Sequence, residues 1–273
     1  MTGPRRRRPD RLRRVRLVPD FIRSADGSCL IELGRTRVVC TATVEPTVPA
    51  WLRDRGTGWV TAEYGMLPAS ARERVRRPGP GGPGGRASEI RRLIGRALRA
   101  GVDLDALGPV TVVVDCDVLE ADGGTRCAAI TGGWVALVRA LRRAEAEGRL
   151  PPPTGEGDAA GPAPARPRLS PGRVRRGRRG LDLPAPVREQ VVAVSCGLVE
   201  GQALLDLDYR DDSRAEVDAN VVMTAAGRLV EVQATAEGRP FAEADLARLL
   251  ALARKGCRTL AKHQARAVKR SAG

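Results

Sequence analysis

Segments of β-strand composition alternate with segments of helical periodicity along this chain, and this order restricts its folds more than any other feature. Residues 29–32 and 37–44 are rich in β-branched side chains and flank the turn Gly34-Arg35-Thr36, which predicts a hairpin. Two more hairpins are predicted from strands at 191–199, 203–209, 219–224 and 228–235. Helices are predicted from Ser88, at 125–146 and at 243–268. Hairpins that alternate with helices predict an α+β fold with helices packed on a mixed sheet.

Composition divides the chain into one folded domain and three segments that lack a core-forming pattern. Residues 1–16 contain eight arginines, which is typical of a flexible, solvated arm. Residues 151–188 contain nine prolines and eight arginines against three acids, which predicts a disordered insert. We therefore expect a single domain at 17–264, interrupted by that insert and followed by a flexible tail at 265–273.

The charge of the chain favours a polyanionic partner, with nucleic acid first. Lysine and arginine total 47 against 32 acidic residues, a formal charge of +15, although the preference for arginine also fits a GC-rich genome. The six cysteines form no Cys-x-x-Cys pair and His263 has no partner at ligand spacing, which argues against a zinc site. Because the sequence shows neither an apolar run of about 20 residues nor a signal peptide, we expect a cytoplasmic protein without membrane contact.

The segment Asp122-Gly123-Gly124-Thr125-Arg126 lies where a strand predicted at 109–119 ends and the helix predicted at 125–146 begins. Backbone N–H groups, the helix dipole, a threonine hydroxyl and a guanidinium can converge there on a phosphate. An ordinary strand-to-helix turn, with Thr125 as the N-cap, explains the same residues. Arg86 follows two glycines at another helix start and would add a second guanidinium, whose planar fork matches the oxygens of phosphate.

Carboxylates cluster between positions 206 and 218. Hard cations such as Mg²⁺ bind through one or two carboxylates together with substrate phosphates, so this cluster is a candidate metal site for phosphoryl chemistry. The alternation of apolar and acidic residues at 205–209 instead assigns Asp206 and Asp208 to the solvent face of a strand. Asp212 and Asp218 lie outside that alternation and are the stronger candidates.

Five segments, in this order, resemble motifs of the bacterial ribonuclease PH family: GWVTAEYGMLP (58–68), GGR (84–86), DCDVLEADGGTR (115–126), DLDYRDDSRAEVDANVVMT (206–224) and EVQATAEG (231–238). The likeness runs from about Asp10 to Ala261 and leaves out the insert at 151–188. Arg14, Cys127 and Ala234 depart from the family pattern, but none of these changes removes a group proposed to bind phosphate or metal.

The resemblance implies a reaction in which inorganic phosphate attacks the 3′-terminal phosphodiester of RNA and releases nucleoside diphosphates one at a time. The substrates it implies are transfer RNA precursors above all, and ribosomal RNA. The family's phosphate-binding positions fall on Arg86, Gly124, Thr125 and Arg126. Its catalytic aspartates fall on Asp212 and Asp218, which are the expected ligands of Mg²⁺ or Mn²⁺. Which aspartate protonates the leaving 3′-oxygen stays open.

The resemblance also implies a ribosomal-protein-S5-like two-layer α+β sandwich, assembled as a homohexamer (a trimer of dimers) that binds RNA and not DNA. Arg92 and Arg99 are candidate RNA contacts, with a plain surface helix as the alternative. One rival hypothesis is a catalytically silent ring subunit, against which the intact Arg86, Arg126 and aspartates argue. A second is a basic RNA-binding protein without chemistry, which predicts RNA binding that is insensitive to phosphate.

Overall fold

Two β-sheets and the helices packed on them form the protein in the computed structural model, which describes residues 7–77, 79, 84–150 and 181–269. The first sheet has the strand order β1-β2-β3-β5-β4. Its strands are Val15–Pro19 (β1), Gly27–Leu33 (β2), Thr36–Glu45 (β3), Trp59–Met66 (β4) and Thr111–Glu120 (β5). Strands β4 and β5 are parallel and the other neighbours are antiparallel, so the predicted mixed sheet is confirmed.

The second sheet is antiparallel throughout, with the order β7-β6-β8-β9. Its strands are Val191–Val199 (β6), Gln202–Leu205 (β7), Val217–Thr224 (β8) and Leu229–Ala236 (β9). Both hairpins predicted in this half are present. The turn between β6 and β7 passes through Glu200 and Gly201 with φ of 52° and 72°, the pair of positive angles that a tight two-residue hairpin loop requires.

In the part of the chain that the structure describes, five α-helices connect and cover the sheets: Gly85–Arg99 (α1), Leu104–Leu107 (α2), Thr125–Ala146 (α3), Tyr209–Asp212 (α4) and Glu243–Lys269 (α5). Helix α3 has the predicted bounds. Helix α1 begins earlier than the predicted start at Ser88, because Gly84 is its N-cap and the Ser88 N–H already donates to the Gly84 carbonyl at 3.0 Å.

Helix α3 is buried on nearly every side, because it contacts β2, β3 and β5 of the first sheet and β6 of the second. A helix that is apolar all round is typical of a protein interior. Its approach to β2 is so close that a Cβ added to Gly27 would lie 2.2 Å from the Ala136 carbonyl oxygen. The core therefore fixes the position of α3, including its N-terminal end.

The structure differs from the predicted segment boundaries at three places. Residues 1–6, 151–180 and 270–273 lie outside the described residues, but the rest of each predicted flexible segment contains buried side chains. In the arm, the Arg13 side chain is 8% exposed and β1 begins at Val15. At the end of the insert, Val187 is buried and forms a bridge with Val102. Helix α5 continues to Lys269 because Val268 near its end is buried.

Within the described ranges, every helix is too short or too polar to span a bilayer.

Candidate active site

The turn between β5 and α3 has the backbone that the phosphate hypothesis requires. Gly123 and Gly124 have φ of 78° and 69°, in the left-handed region that glycine tolerates best. Gly124, and not Thr125, is the N-cap, and it has no side chain that could bond to the N–H groups of the first turn. The positive end of a 22-residue helix therefore opens on this turn with donors available to an anion.

Thr125 is the first residue of α3, and its hydroxyl oxygen accepts a hydrogen bond of 2.9 Å from the Tyr64 hydroxyl. Tyr64 lies on β4 and is buried. Burial raises the pKa of Tyr64, while the bond to Thr125 and the charges of Arg86 and Arg126 act in the opposite direction. No role was predicted for Tyr64, although it lies within the motif at 58–68.

The two predicted guanidiniums reach the site from different helices. Arg126 lies in the first turn of α3, and its Nη1 donates a hydrogen bond of 3.3 Å to Gln233 Oε1. The same nitrogen lies 3.6 Å from a carboxylate oxygen of Glu89. Arg86 is exposed in the first turn of α1. Burial raises the pKa of Asp212, and both positive charges act on its carboxyl and partly offset that rise. Four of the predicted groups therefore share one electrostatic environment: Arg86, Thr125, Arg126 and Asp212.

Asp212 ends the short helix α4, and Asp218 lies near the start of β8. Crowding by protein atoms raises the pKa of Asp212 although the residue is exposed to solvent, and the nearby arginines only partly offset this effect. Burial first, and then the charge of Asp212, raise the pKa of Asp218. The two carboxyls are therefore near neighbours whose ionised forms repel each other.

Asn220 and Cys127 support the Asp218 carboxyl through two consecutive hydrogen bonds. The Asn220 amide donates to Asp218 Oδ2 at 3.3 Å, and the Cys127 thiol donates to Asn220 Oδ1 at 3.3 Å. Cys127, which departs from the family pattern, thus belongs to the support of a candidate catalytic residue. Neither Asn220 nor Cys127 was singled out from the sequence as a site residue, because their roles depend on the approach of α3 to β8.

The donor set formed by Asp212 and Asp218 suits a hard cation. Oxygen ligands on one or two carboxylates, completed by water and substrate phosphates, are the usual protein environment of Mg²⁺. A cation between the two carboxyls would also offset their mutual repulsion, which adds to the effect of burial in raising the pKa of Asp218. Within the described part of the chain, no group of three or more His, Cys, Asp or Glu side chains is placed to hold a metal.

The prediction that Asp206 and Asp208 form the solvent face of a strand is wrong. Strand β7 ends at Leu205, and Asp206 turns the chain with φ of 58°. Asp206 is 1% exposed because its carboxylate pairs with Arg13. Asp208 is the N-cap of α4, where it accepts hydrogen bonds from the N–H groups of Arg210 and Asp211. Its cap starts the helix that ends at Asp212.

The two candidate RNA-contact arginines differ in their environments. Arg92 is exposed on α1. Arg99 is half-buried, donates to the Val60 carbonyl at 2.7 Å and lies 4.1 Å from the centre of the Trp59 ring. Arg99 therefore has structural contacts of its own, whereas the Arg92 side chain is exposed to solvent.

Two family descriptions match this chain in sequence. The 3′ exoribonuclease family, domain 1, matches residues 11–142, and the 3′ exoribonuclease family, domain 2, matches residues 189–256. This chain belongs to the 3′ exoribonuclease family. The stretch between the two matches, residues 143–188, includes the whole of the predicted insert at 151–188.

Curated relatives agree with this family. The chain is 47% identical to ribonuclease PH of Mesorhizobium japonicum over 266 residues, which cover 97% of this chain and 99% of the relative. It is 46% identical to ribonuclease PH of Brucella ovis with the same coverage. The predicted phosphate-dependent 3′-to-5′ exoribonuclease activity is confirmed at the level of the family.

Solved structures of low sequence identity share the fold. Rice Rrp46 matches with a TM-score of 0.69 at 15% identity, covering 97% of this chain and 99% of that one. The Archaeoglobus fulgidus exosome with RNA bound to the active site matches with a TM-score of 0.68 at 22% identity, covering 94% and 90%. The predicted ribonuclease PH fold of α+β class is thus confirmed.

Proposed function

We propose that this exoribonuclease shortens the 3′ ends of transfer RNA precursors, and of ribosomal RNA, with Arg86, Gly124, Thr125 and Arg126 binding the attacking phosphate and Asp212 and Asp218 binding a divalent cation. The observation that supports this assignment most is electrostatic. The charges of Arg86 and Arg126 both act on the Asp212 carboxyl, and Arg126 lies in the first turn of α3, so an anion held by the arginines would lie near the aspartates.

The chain's own groups account for the binding and orientation of phosphate. The N-terminal N–H groups of α3 and the two guanidiniums donate to its oxygens, as charge-assisted bonds that match the tetrahedral anion. Tyr64 donates its hydroxyl proton to Thr125 Oγ1, which leaves the Thr125 proton free to be donated to a phosphate oxygen. The phosphate is thereby held in one orientation, and fixed orientation is a large part of the rate gain in phosphoryl chemistry.

In the reaction, a phosphate oxygen attacks the phosphorus of the last phosphodiester, and the bond from that phosphorus to the 3′-oxygen of the preceding nucleotide breaks. The products are a nucleoside 5′-diphosphate and an RNA one nucleotide shorter with a free 3′-hydroxyl. The leaving 3′-oxygen takes a proton, for which the two aspartates are the nearest candidates. Mg²⁺ or Mn²⁺, when bound, supplies charge stabilisation for the oxygens of the reacting phosphorus.

The phosphate requirement is the deciding test. Purified protein with Mg²⁺ should shorten a 3′-extended transfer RNA only when phosphate is present, and chromatography should show nucleoside diphosphates. Monophosphate products, or shortening without phosphate, would contradict the proposal. Arg126→Ala should weaken the use of phosphate by a charge-assisted contact of about 1.5–3 kcal/mol, and Asp218→Ala should abolish turnover while RNA binding persists.

Arg139→Ala provides the matched control for Arg126→Ala. Arg139 lies on the same helix but pairs with Asp20, away from the turn. The variant should retain the phosphate KM of the parent chain. An equal rise in phosphate KM for both variants would place the phosphate site elsewhere.

The proposal includes a homohexamer built as a trimer of dimers and a cytoplasmic location. Strand β9 is an edge of its sheet, and Leu229 and Val232 on it are exposed, which suits a surface buried between subunits. Sedimentation analysis should give a mass of about six chains, and Val232→Lys should reduce it. A monomer at micromolar concentration would contradict the assembly.

A further inference from the structure

Residues 122–126, the proposed phosphate-binding turn between β5 and α3, are here called the phosphate turn. Three buried side chains stabilise this turn from the side of the protein interior. The Thr36 hydroxyl donates to the Gly123 carbonyl at 2.7 Å and accepts from the Asp122 N–H at 2.9 Å. The Arg13 guanidinium donates to the Gly123 carbonyl at 3.2 Å and also to the Asp122 carbonyl. Both carbonyl oxygens at the start of the turn are thus bound to side chains.

Asp206 holds the Arg13 guanidinium in place. Its carboxylate accepts from Arg13 Nη2 at 2.7 Å, from Nε at 3.1 Å and from the Arg13 backbone N–H at 2.7 Å. The side chains of Arg13 and Asp206 are 8% and 2% exposed. The Asp206 N–H in turn donates to the Ser195 carbonyl on β6 at 2.7 Å, so the pair is anchored to the second sheet.

From this arrangement we propose that Arg13, Thr36 and Asp206, here called the turn clamp, are positioning residues that set the direction of the phosphate-binding N–H groups. This inference rests on the proposed phosphate site. In a trans peptide the C=O of one residue points opposite to the N–H of the next. Binding the Asp122 and Gly123 carbonyls to the clamp therefore aims the Gly123 and Gly124 N–H groups away from it.

The clamp acts through the turn and not on phosphate itself. The Arg13 guanidinium is nearly inaccessible and its charge is paired with Asp206, whereas Arg86 is exposed. A polar group of this kind is stable in the interior only when its donors are satisfied, and here the turn carbonyls satisfy them. The turn and the clamp consequently fix each other's geometry.

The clamp also ties the phosphate turn to the aspartates. Thr36 belongs to the first sheet, and Asp206 belongs to the segment that leads from β7 into α4 and Asp212. A Cβ added to Gly124 would lie 3.1 Å from Arg13 Nη2, which shows how closely the turn lies on the guanidinium. Any shift of the clamp therefore changes the distance between phosphate donors and metal ligands.

Thr36→Val is the primary test, because it replaces the hydroxyl with a methyl group of similar size. The phosphate KM should rise about tenfold, as expected when one aligned hydrogen-bonded group loses its orientation. The KM for RNA, and RNA affinity measured without phosphate, should stay within about twofold of the parent values. Thr36→Ser keeps the hydroxyl and should restore the phosphate KM.

Thr131→Val is the matched control. Thr131 is fully buried on α3, and its hydroxyl also bonds one N–H and one carbonyl, those of Ala193. The control should lose a similar amount of thermal stability but keep the parent phosphate KM. If Thr36→Val and Thr131→Val lose stability alike and both keep the parent phosphate KM, the clamp is only structural and the inference is wrong.

Asp206→Asn keeps the test decisive if Thr36→Val does not fold. It preserves the side-chain shape but removes the charge that holds Arg13, and it too should raise the phosphate KM selectively. An unchanged phosphate KM in this variant would overturn the clamp. Absence of any phosphate requirement in the parent chain would instead overturn the proposed function, and the clamp with it, so the two failures are distinguishable.

Discussion

Gly123→Ala should be among the more damaging single-methyl changes in this protein, and its magnitude can be worked out from two effects. The first is conformational: a side chain at φ of 78° lies in the left-handed region, which costs about 1–2 kcal/mol. The second is steric: the added Cβ would lie 2.6 Å from the Leu207 carbonyl oxygen and 2.8 Å from the Asp208 carbonyl carbon. Because these are backbone atoms, the chain must move, and overpacking of this kind costs about 1–3 kcal/mol.

Gly148→Ala separates the two effects. Gly148 follows the other end of α3 with φ of 66°, and an added Cβ there has no atom within 4 Å. We expect a loss of about 1–2 kcal/mol for Gly148→Ala and of about 2–5 kcal/mol for Gly123→Ala, measured as the free energy of unfolding in urea. Only Gly123→Ala should also raise the phosphate KM, since the methyl displaces the segment that leads to Asp212. Equal losses in both variants, with an unchanged phosphate KM, would refute the reasoning.

Two further predictions concern the metal and RNA surfaces. In metal-free buffer at pH 8, Asp218→Asn should raise the Tm. Burial and the charge of Asp212 raise the pKa of the Asp218 carboxyl in the folded chain. Ionisation of this carboxyl therefore lowers the stability of the folded parent chain as pH rises through that pKa, and the variant avoids this loss. Mg²⁺ should then stabilise the parent chain and not the variant; equal stabilisation of both would remove Asp218 from the metal site. Arg92→Ala should weaken RNA binding and reduce the salt slope by about 1. Arg99→Ala should instead lower the free energy of unfolding, measured in urea, by about 1–3 kcal/mol, because its contacts with Val60 and Trp59 are lost. Weaker RNA binding for Arg99→Ala and lower stability for Arg92→Ala would contradict this assignment.

Local sequence patterns predicted the regular elements well. Helix α3 and strand β6 have the predicted bounds, because the apolar residues that define them are contiguous in the chain and end at glycine or polar residues. The phosphate turn was equally visible, since its glycines, threonine and arginine are consecutive. The resemblance to the family motifs then favoured a phosphate site over an ordinary helix start, and this assignment stays a prediction.

The errors concern residues whose environment depends on distant parts of the chain. Asp206 was predicted to face solvent because Arg13, the partner with which it is buried, lies 193 positions away in the chain. Arg13 itself was predicted to belong to a solvated arm, because a segment with many arginines is expected to be exposed unless a buried carboxylate is known to lie nearby. Tyr64 and Asn220 required the same kind of knowledge, namely which strand faces the start of α3.

The burial of α3 has a consequence for how this enzyme loses activity. Helix α3, which begins at the phosphate turn, packs against both sheets. The turn therefore cannot move far without disturbing the protein interior. Sites on surface loops usually open in local fluctuations well below the free energy of global unfolding. Here the hydrogen-bonded amides of α3 from Ala128 onward should exchange with solvent deuterium nearly as slowly as those of the central strands, and heat inactivation should coincide with cooperative melting.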